Sequence, residues 1–423
     1  MHCPHWEEHT CTSCTYLEIP MPTQIRAKEK RVRQTLSALP YAQTITWLPS
    51  ATSAHTGFRT KAKLVVGGTP RRPTLGILGP HKNTIDLPQC QIQHPAITQA
   101  IPALKRFIRL VKLQPYNITQ RKGELKYIHL IVGTHDQLMI RFVLRSRDMV
   151  SNIRTALTEL RTLIPQATVI TANIHPQHAA TVEGTDEIIL TRLTALPLTI
   201  GGLDLFLSPG SFVQTNTDIA GQLYQQVRMW ATHPLHASHT SHSDEPTKKT
   251  PAHTPRTLWD LYCGIGGFAL HCAYAGIEHV TGIELSREAI QSARLAARTA
   301  GFGRTRSNFI TADATQWALT QEKAIYPDVL IVNPPRRGIG PELSQWINSS
   351  EIQRVIYSSC NPETLAKDLH NMPNYQVDSG RIFDMFPHTN HVETACVLSR
   401  RSSLQVTNTE TTTEEKKCLM SLA

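Results

Sequence analysis

Between residues 258 and 357, five short and almost wholly apolar runs recur, at 258–262, 280–283, 309–310, 329–332 and 355–357. The stretches between them favour helix, as at 287–297, where Ala, Leu and Arg dominate. A strand that is apolar on both faces must be covered on both faces, and a parallel neighbour is reached only through a crossover, usually a helix. The alternation therefore predicts a doubly wound parallel α/β sheet. Ligands of such sheets sit at the carboxyl ends of the strands, so the residues that end each run are the first candidates for a site.

The chain has 423 residues, enough for two or three domains of roughly 100–200 residues each. Hydrophobic residues make up 40% and aromatics 6%, the range of a soluble globular protein, which excludes bulk disorder and a fibrous class. Ahead of the doubly wound half, β-like runs at 62–66, 128–132 and 138–144, with a helical stretch at 149–163, predict an α+β domain over 1–200. The second domain is expected over 201–400. Within it, 232–257 is rich in His, Ser, Thr and Pro without apolar periodicity and reads as a flexible insertion; 401–423 reads as a disordered tail. No run approaches the roughly 18 apolar residues of a membrane span, and the first residues lack the apolar core of a secretion signal. A cytoplasmic protein without a membrane partner or an obligate protein partner is expected. Its 43 Lys and Arg against 33 Asp and Glu, a net charge of +10, favour a polyanion as partner, RNA above all.

The first strand end reads Asp260-Leu261-Tyr262-Cys263-Gly264-Ile265-Gly266-Gly267-Phe268. Glycines there permit a tight bend and let backbone approach a ligand. About twenty residues on, Glu284 ends the second strand, the place from which a carboxylate accepts both hydroxyls of a ribose. Asp313 ends the third strand and Asn333-Pro334-Pro335 the fourth. Polar groups at four consecutive strand ends suit a nucleoside. Gly264-x-Gly266-Gly267 falls short of the G-x-G-x-x-G that a dinucleotide's pyrophosphate wants, which favours S-adenosyl-L-methionine, a nucleoside without phosphates.

Nine cysteines in a reduced compartment point to metal binding or catalysis rather than disulfides. Cys360 lies in the polar turn Ser358-Ser359-Cys360-Asn361-Pro362, at the end of the fifth run and beside the cofactor site. Cys3, Cys11 and Cys14 are spaced Cys-x7-Cys-x2-Cys, with Cys90 as a fourth candidate ligand. Four soft thiolates suit zinc or an iron–sulfur cluster; residue types leave both open, with His2, His5 and His9 nearby. Cys263, Cys272, Cys396 and Cys418 carry no assignment.

Three motifs in order, Asp260 to Phe268, then Asn333-Pro334-Pro335-Arg336-Arg337-Gly338, then Tyr357-Ser358-Ser359-Cys360-Asn361-Pro362, resemble the RNA uridine-5 methyltransferases. The likeness covers nearly all of residues 1–400 apart from 232–257. The glycine motif is common to many methyltransferases; the Ser-Ser-Cys-Asn-Pro turn is the specific signal. The resemblance implies an S-adenosyl-L-methionine-dependent methyltransferase domain preceded by an α+β RNA-binding domain. It implies that Gln214, Tyr262, Glu284 and Asn333 contact the cofactor, with Asp313 near its adenine; many members carry Asp where Asn333 stands. It makes Cys360 the nucleophile that adds to carbon 6 of uracil and turns the ring into an enolate able to take a methyl at carbon 5. Arg336 or Arg337 would steady the thiolate, and Glu393, in His391-Val392-Glu393-Thr394, would remove the carbon 5 proton.

The cysteine spacing is similar to that of the 23S rRNA branch, which carries a [4Fe–4S] cluster, so that cluster is expected on Cys3, Cys11, Cys14 and Cys90. Cys3 leaves no room ahead of it for the oligonucleotide-binding barrel of a related rRNA branch. The expectation narrows to methylation of one uracil in a 23S rRNA hairpin loop, with RNA held through 58–63 and 26–33 and the target base turned out of its stack. Three other readings compete. An amino methyltransferase of an RNA purine places an aromatic after its prolines, where Arg336 stands, and needs no nucleophile. A silent RNA-binding protein is opposed by the intact set Gln214, Glu284, Asn333, Cys360 and Glu393. A uracil methyltransferase of tRNA or of another rRNA site is opposed only by the four cysteines.

Overall fold

The computed structural model describes residues 1–79, 83–179, 181–235 and 253–401. The expected flexible insertion and tail fall largely on 236–252 and 402–423, outside the described residues, as does Cys418. The base of the insertion is described: Leu235 and His253 form an antiparallel bridge, with N–H to O distances of 2.9 and 3.2 Å.

The chain runs through β1 (Thr46–Trp47), β2 (Lys61–Gly68), β3 (Pro73–Leu78), β4 (Thr84–Asp86), β5 (Leu125–Val132), β6 (Leu138–Leu144), β7 (Ala167–Ile174) and β8 (Asp186–Ile189). A hairpin of β9 (Leu196–Ile200) and β10 (Leu203–Leu207) leads to β11 (Thr257–Leu261), β12 (His279–Glu284), β13 (Ser307–Thr311), β14 (Val329–Val332), β15 (Arg354–Ser359), β16 (Tyr375–Phe383) and β17 (Glu393–Arg400). A seven-stranded sheet has the order β4-β3-β2-β5-β6-β7-β8, and an eight-stranded sheet the order β1-β16-β17-β15-β14-β11-β12-β13.

The five apolar runs become β11 to β15, all parallel where they pair. β12 and β13 lie to one side of β11, with β14 and β15 to the other. The order thus reverses between β11 and β14, the point at which a doubly wound sheet opens a crevice. There the Asn333 N–H reaches the Leu261 carbonyl at 3.3 Å. The helix expected from 287–297 spans Arg287–Thr299 and buries Ala289, Ala293, Ala296 and Ala297, small residues that let it lie close on the sheet. β17 enters antiparallel between β15 and β16.

In the seven-stranded sheet, one face of β2, β5 and β6 packs Leu64, Ile128, Leu130, Ile140 and Phe142 against the helix Pro95–Leu110. The other face carries Lys61, Lys63, Tyr127, His129 and Arg141, the opposite phase of the two-residue strand period. The helical stretch at 149–163 is broken at Ala156 (φ −92°, ψ 17°) into Val150–Thr155 and Leu157–Leu163. Residues 16–51 pack on the eight-stranded sheet instead, from the Tyr16 N–H on the His388 carbonyl to the Ala51 N–H on the Ile382 carbonyl. Helix Met21–Leu36 puts Val32 and Leu36 in one apolar cluster with Tyr357 and Leu365, and its Lys28 forms a buried ion pair with Asp384 at 2.6 Å. Among the described residues no helix is long and apolar enough to cross a membrane.

Candidate active site

The glycine turn after β11 folds because its residues enter left-handed backbone: Gly264 has φ 54° and Gly266 φ 85°. Tyr262 takes φ 65°, where a side chain is disfavoured, so the turn holds local strain. Glu284, at the end of β12, accepts the Gly264 N–H at 3.3 Å and the Ser286 N–H at 2.9 Å. The carboxylate and the glycine turn are thereby fixed to each other across two strands. Gly282 is required by close packing, since a Cβ there would lie 2.5 Å from the Phe309 ring and 2.9 Å from Cys263 Sγ.

Tyr262, Glu284 and Asn333 are half-buried and Asp313 is exposed. They end four adjacent strands in the order β13, β12, β11, β14. Tyr262 Oη meets Thr315 Oγ1 at 3.2 Å, with Asp313 and Arg337 close enough to act on its phenol. Asp313 caps the helix Ala314–Leu319 by accepting the Gln316 N–H at 2.9 Å. Gln214 is half-buried in the loop between β10 and the helix Thr217–Thr232. That loop is pinned next to it, because the Thr215 carbonyl accepts the Thr60 N–H at 2.8 Å and the Asn216 amide donates to Ser53 Oγ at 2.8 Å.

Sequence reasoning missed Asp260. Its side chain is fully buried under the turn, with Oδ2 accepting the Ala269 N–H at 3.0 Å and Oδ1 without a partner. Burial pushes its pKa up to about 8. The signal was present as a lone acid inside an apolar run.

The β15–β17 ladder ends with Ser359 opposite Thr394, so the residues just beyond, Cys360 and Glu393, lie side by side. Glu393 is 2% exposed. It accepts Ser358 Oγ–H at 2.6 Å, and burial pushes it up to about 7. Cys360 is half-buried. Burial raises its pKa, and the Glu393 carboxylate raises it further; the Arg336 guanidinium, hydrogen-bonded to the thiol, pulls it back. Of the two candidate arginines, Arg336 thus faces the sulfur and Arg337 faces Tyr262.

Two further side chains hold Arg336. Asn361 Nδ2 and Thr364 Oγ1 both donate to its carbonyl, at 3.1 and 3.2 Å, while Asn361 also caps the helix Pro362–His370. Asp368 accepts the Tyr357 hydroxyl at 2.7 Å and the Ile339 N–H at 2.9 Å, tying the Pro-Pro-Arg-Arg-Gly turn to β15. The corner presents a thiol flanked by a cation and a weakly acidic carboxyl. Such a set can supply a nucleophile on one side of a ring and take a proton afterwards.

Cys3, Cys11, Cys14 and Cys90 all line one cavity of about 440 Å³. Burial raises the Cys14 thiol to about 12, with Cys90, Cys11 and Cys3 adding to the shift, and burial raises Cys90 too. Thiols that suppress one another's ionisation are thiols that an added cation would bind. Among the described residues, no group of three or more His, Cys, Asp or Glu side chains is placed to hold a metal ion. The cysteines come from separate parts of the chain. Tyr16 N–H bonds His388 O at 2.8 Å, next to the eight-stranded sheet, and Gln91 Nε2 bonds His2 O at 2.8 Å.

Of the basic stretches expected at RNA, 26–33 has three cations engaged within the protein, while Arg26 and Lys30 are exposed. Lys28 is buried in its ion pair, Arg31 donates to Asn390 O at 2.8 Å, and Arg33 lies over the Trp47 ring at 5.5 Å. In 58–63, Arg59 faces Cys90 and Cys14, while Lys61 Nζ donates to the Ser211 carbonyl at 3.5 Å.

Residues 210–401 match the family model described as tRNA (Uracil-5-)-methyltransferase. The chain is 42% identical to the 23S rRNA (uracil(747)-C(5))-methyltransferase RlmC of Actinobacillus succinogenes, over 94% of this chain and 100% of that one. It is 41% identical to the RlmC of Halothiobacillus neapolitanus, over 95% and 100%. A solved structure of the Pyrococcus abyssi tRNA (uracil-54, C5)-methyltransferase with S-adenosyl-L-homocysteine superposes with a TM-score of 0.72 at 24% identity, covering 91% of this chain and 85% of that one. That likeness shows the fold, the α/β fold of S-adenosyl-L-methionine-dependent methyltransferases.

Proposed function

Since the chain belongs to the RNA (uracil-C5)-methyltransferase family, we propose that it methylates carbon 5 of the 23S rRNA uracil named for its relatives, uracil 747. The observation that carries this reading is the pairing of Cys360 with Glu393 at the end of the β15–β17 ladder, beside the switch point. S-adenosyl-L-methionine, when bound, supplies an electrophilic methyl group. Tyr262, Glu284 and Asn333, with Gln214 and Asp313 around them, hold it at the crevice.

Cys360 gives up its proton to solvent, Arg336 steadying the thiolate, and Sγ adds to carbon 6 of the flipped uracil; the electron pair of the carbon 5–carbon 6 double bond moves into the enolate, which makes carbon 5 nucleophilic. The ring's electron pair forms the bond from carbon 5 to the methyl carbon, and S-adenosyl-L-homocysteine departs. Glu393 then takes the proton from carbon 5; the electrons of that bond restore the ring and expel Cys360 as thiolate. A carboxyl raised to about 7 is a stronger base than an exposed one, which suits this last step.

For the four cysteines the reading is a [4Fe–4S] cluster. What supports it is that all four cysteines line one cavity, four thiolates being the ligand set of such a cluster. The cluster would staple the first fourteen residues to Cys90. Iron and visible absorbance are expected in protein purified without oxygen, and colourless zinc-loaded protein would overturn the cluster.

The functional reading is tested with the purified enzyme, S-adenosyl-L-methionine and a transcript of the 23S rRNA hairpin. Wild-type protein should yield 5-methyluridine, seen by mass spectrometry. Glu393→Gln should lose turnover by roughly 10²- to 10⁴-fold and accumulate a denaturation-resistant protein–RNA adduct. Absence of 5-methyluridine from the wild-type reaction sinks the function, and absence of the adduct removes Glu393 from its role.

A further inference from the structure

At the end of the seven-stranded sheet remote from hairpin β9–β10 lies a cavity of about 1130 Å³, framed by the close of β2, residues 114–123 and the segment after β7. Among the described residues its walls carry Tyr116, Tyr127, Lys122 and Lys126, together with five Asn or Gln side chains and two His, and no Asp or Glu. Tyr116 Oη meets His178 Nδ1 at 3.0 Å, and Lys126 Nζ lies 4.8 Å from the centroid of the Tyr116 ring. Lys126 is 5% exposed, yet its ammonium donates to a carbonyl, that of Gln177 at 2.7 Å, rather than to a carboxylate. Burial and nearby Arg145 lower its pKa. Thr74 Oγ1, also at the wall, is buried without a partner.

Carboxamides read the edges of unpaired bases, aromatic rings stack on their faces, and lysines without carboxylates meet phosphate. A cavity larger than a single small ligand requires and free of acid walls has the chemistry of a polyanion site. Its position agrees. Tyr127 pairs with Val65 and Ile131 with Lys61, so the cavity and Lys61 share one sheet face about 13 Å apart at ~3.3 Å per residue. Along that face Lys63 and Arg141 are already paired with Glu183 and Glu187, so among the described residues the free cation there is Lys61, which at the far end donates to the Ser211 carbonyl in the loop that carries Gln214.

We infer that this cavity binds an unpaired segment of the substrate RNA flanking the methylated uracil, with a base stacked on Tyr116 and phosphates held by Lys122 and Lys126. The inference rests on the uracil methyltransferase reading above.

Tyr116→Ala and the exposed-residue variant Lys122→Glu are compared with wild type by steady-state methylation of the 23S rRNA hairpin transcript, with thermal melting and cofactor binding as checks on folding. Tyr116→Ala should raise KM for the transcript roughly tenfold, from the loss of one stacked base, with kcat at saturating RNA changed less than twofold. Lys122→Glu should raise KM several-fold and make the slope of binding against salt shallower by about one phosphate contact. Wild-type KM in both variants, on a transcript that the wild-type enzyme methylates, overturns the inference and leaves the uracil reading intact. A fall in kcat together with weaker cofactor binding assigns Tyr116 to the scaffold and overturns it as well. Failure of the wild-type enzyme to methylate the transcript sinks the uracil reading and this inference with it.

Discussion

In the seven-stranded sheet the buried guanidinium of Arg141 meets two carboxylates, whereas in the eight-stranded sheet the buried carboxyls of Asp260 and Glu393 form no ion pair among the described residues. Arg141 is 4% exposed. It is gripped by Glu187 through Nε at 3.0 Å and Nη2 at 2.6 Å, and by Glu183 through Nη1 at 2.5 Å. Thr171 and Asn173 occupy the remaining sites of Glu187. Every charge there has an answer, so the network is rigid and chemically quiet. Glu393 instead has one hydroxyl, and Asp260 one amide. A carboxyl kept dry without a cation holds its proton into the neutral range, so it can still exchange that proton when a substrate arrives. The difference teaches that satisfied burial builds the frame, while unsatisfied burial marks chemistry.

That contrast can be broken at three points. The largest effect is expected from Cys360→Ala. It should lower methylation by on the order of 10⁴-fold or more, as loss of a covalent nucleophile does, with cofactor binding and melting temperature near wild type. Turnover in that variant would show that the unsatisfied corner of the second sheet is not the reactive one. Next in size is Arg141→Leu. Removing the cation strands Glu183 and Glu187 beside one another, and equilibrium unfolding in urea should show a loss of roughly 3–5 kcal/mol. A neutral result would mean that the network adds nothing to the frame.

The smallest effect has the opposite sign. Because the folded Glu393 pKa is raised from 4.5 to about 7, the native state binds the proton more tightly than the unfolded chain. Stability is therefore lost as pH climbs from about 4.5 to about 7, and the loss is complete above that range. Glu393→Gln removes the titration, so it should match wild type at pH 4 and exceed it at pH 8 by up to ~3 kcal/mol. A variant less stable than wild type at pH 8 would place Glu393 with the structural charges of the first sheet.

Much of the second sheet was legible because parallel strands buried on both faces seldom carry polar residues before they end. β11 to β15 and the polar groups at their ends follow from that local rule. The helix broken at Ala156 was read as one because its composition favours helix on both sides. The packing of residues 16–51 on the eight-stranded sheet was not legible, since a two-residue strand has no period and the buried face of helix Met21–Leu36 includes Gln24 and Lys28. Asp260 was passed over as part of a motif, although an acid in an apolar run is itself a signal. Ser358 and Asp368 act through groups distant in the chain, Glu393 and Ile339, and Asn361, a local helix cap, also reaches the Arg336 carbonyl; nothing local marks those remote contacts.

By itself the sequence determined the strand–helix alternation, the glycine turn, and the thiol and carboxyl types that this chemistry needs, because those depend on neighbours within a few residues. Tertiary structure alone decided that β17 returns antiparallel beside β15 and that Arg336 rather than Arg337 acts on the sulfur, and it brings Cys90 to the cavity of Cys3, Cys11 and Cys14 with which the sequence had grouped it. Those outcomes depend on which strand pairs with which and in what register. Pairing across tens of residues is settled by the burial of whole faces, a quantity that no short stretch of sequence contains.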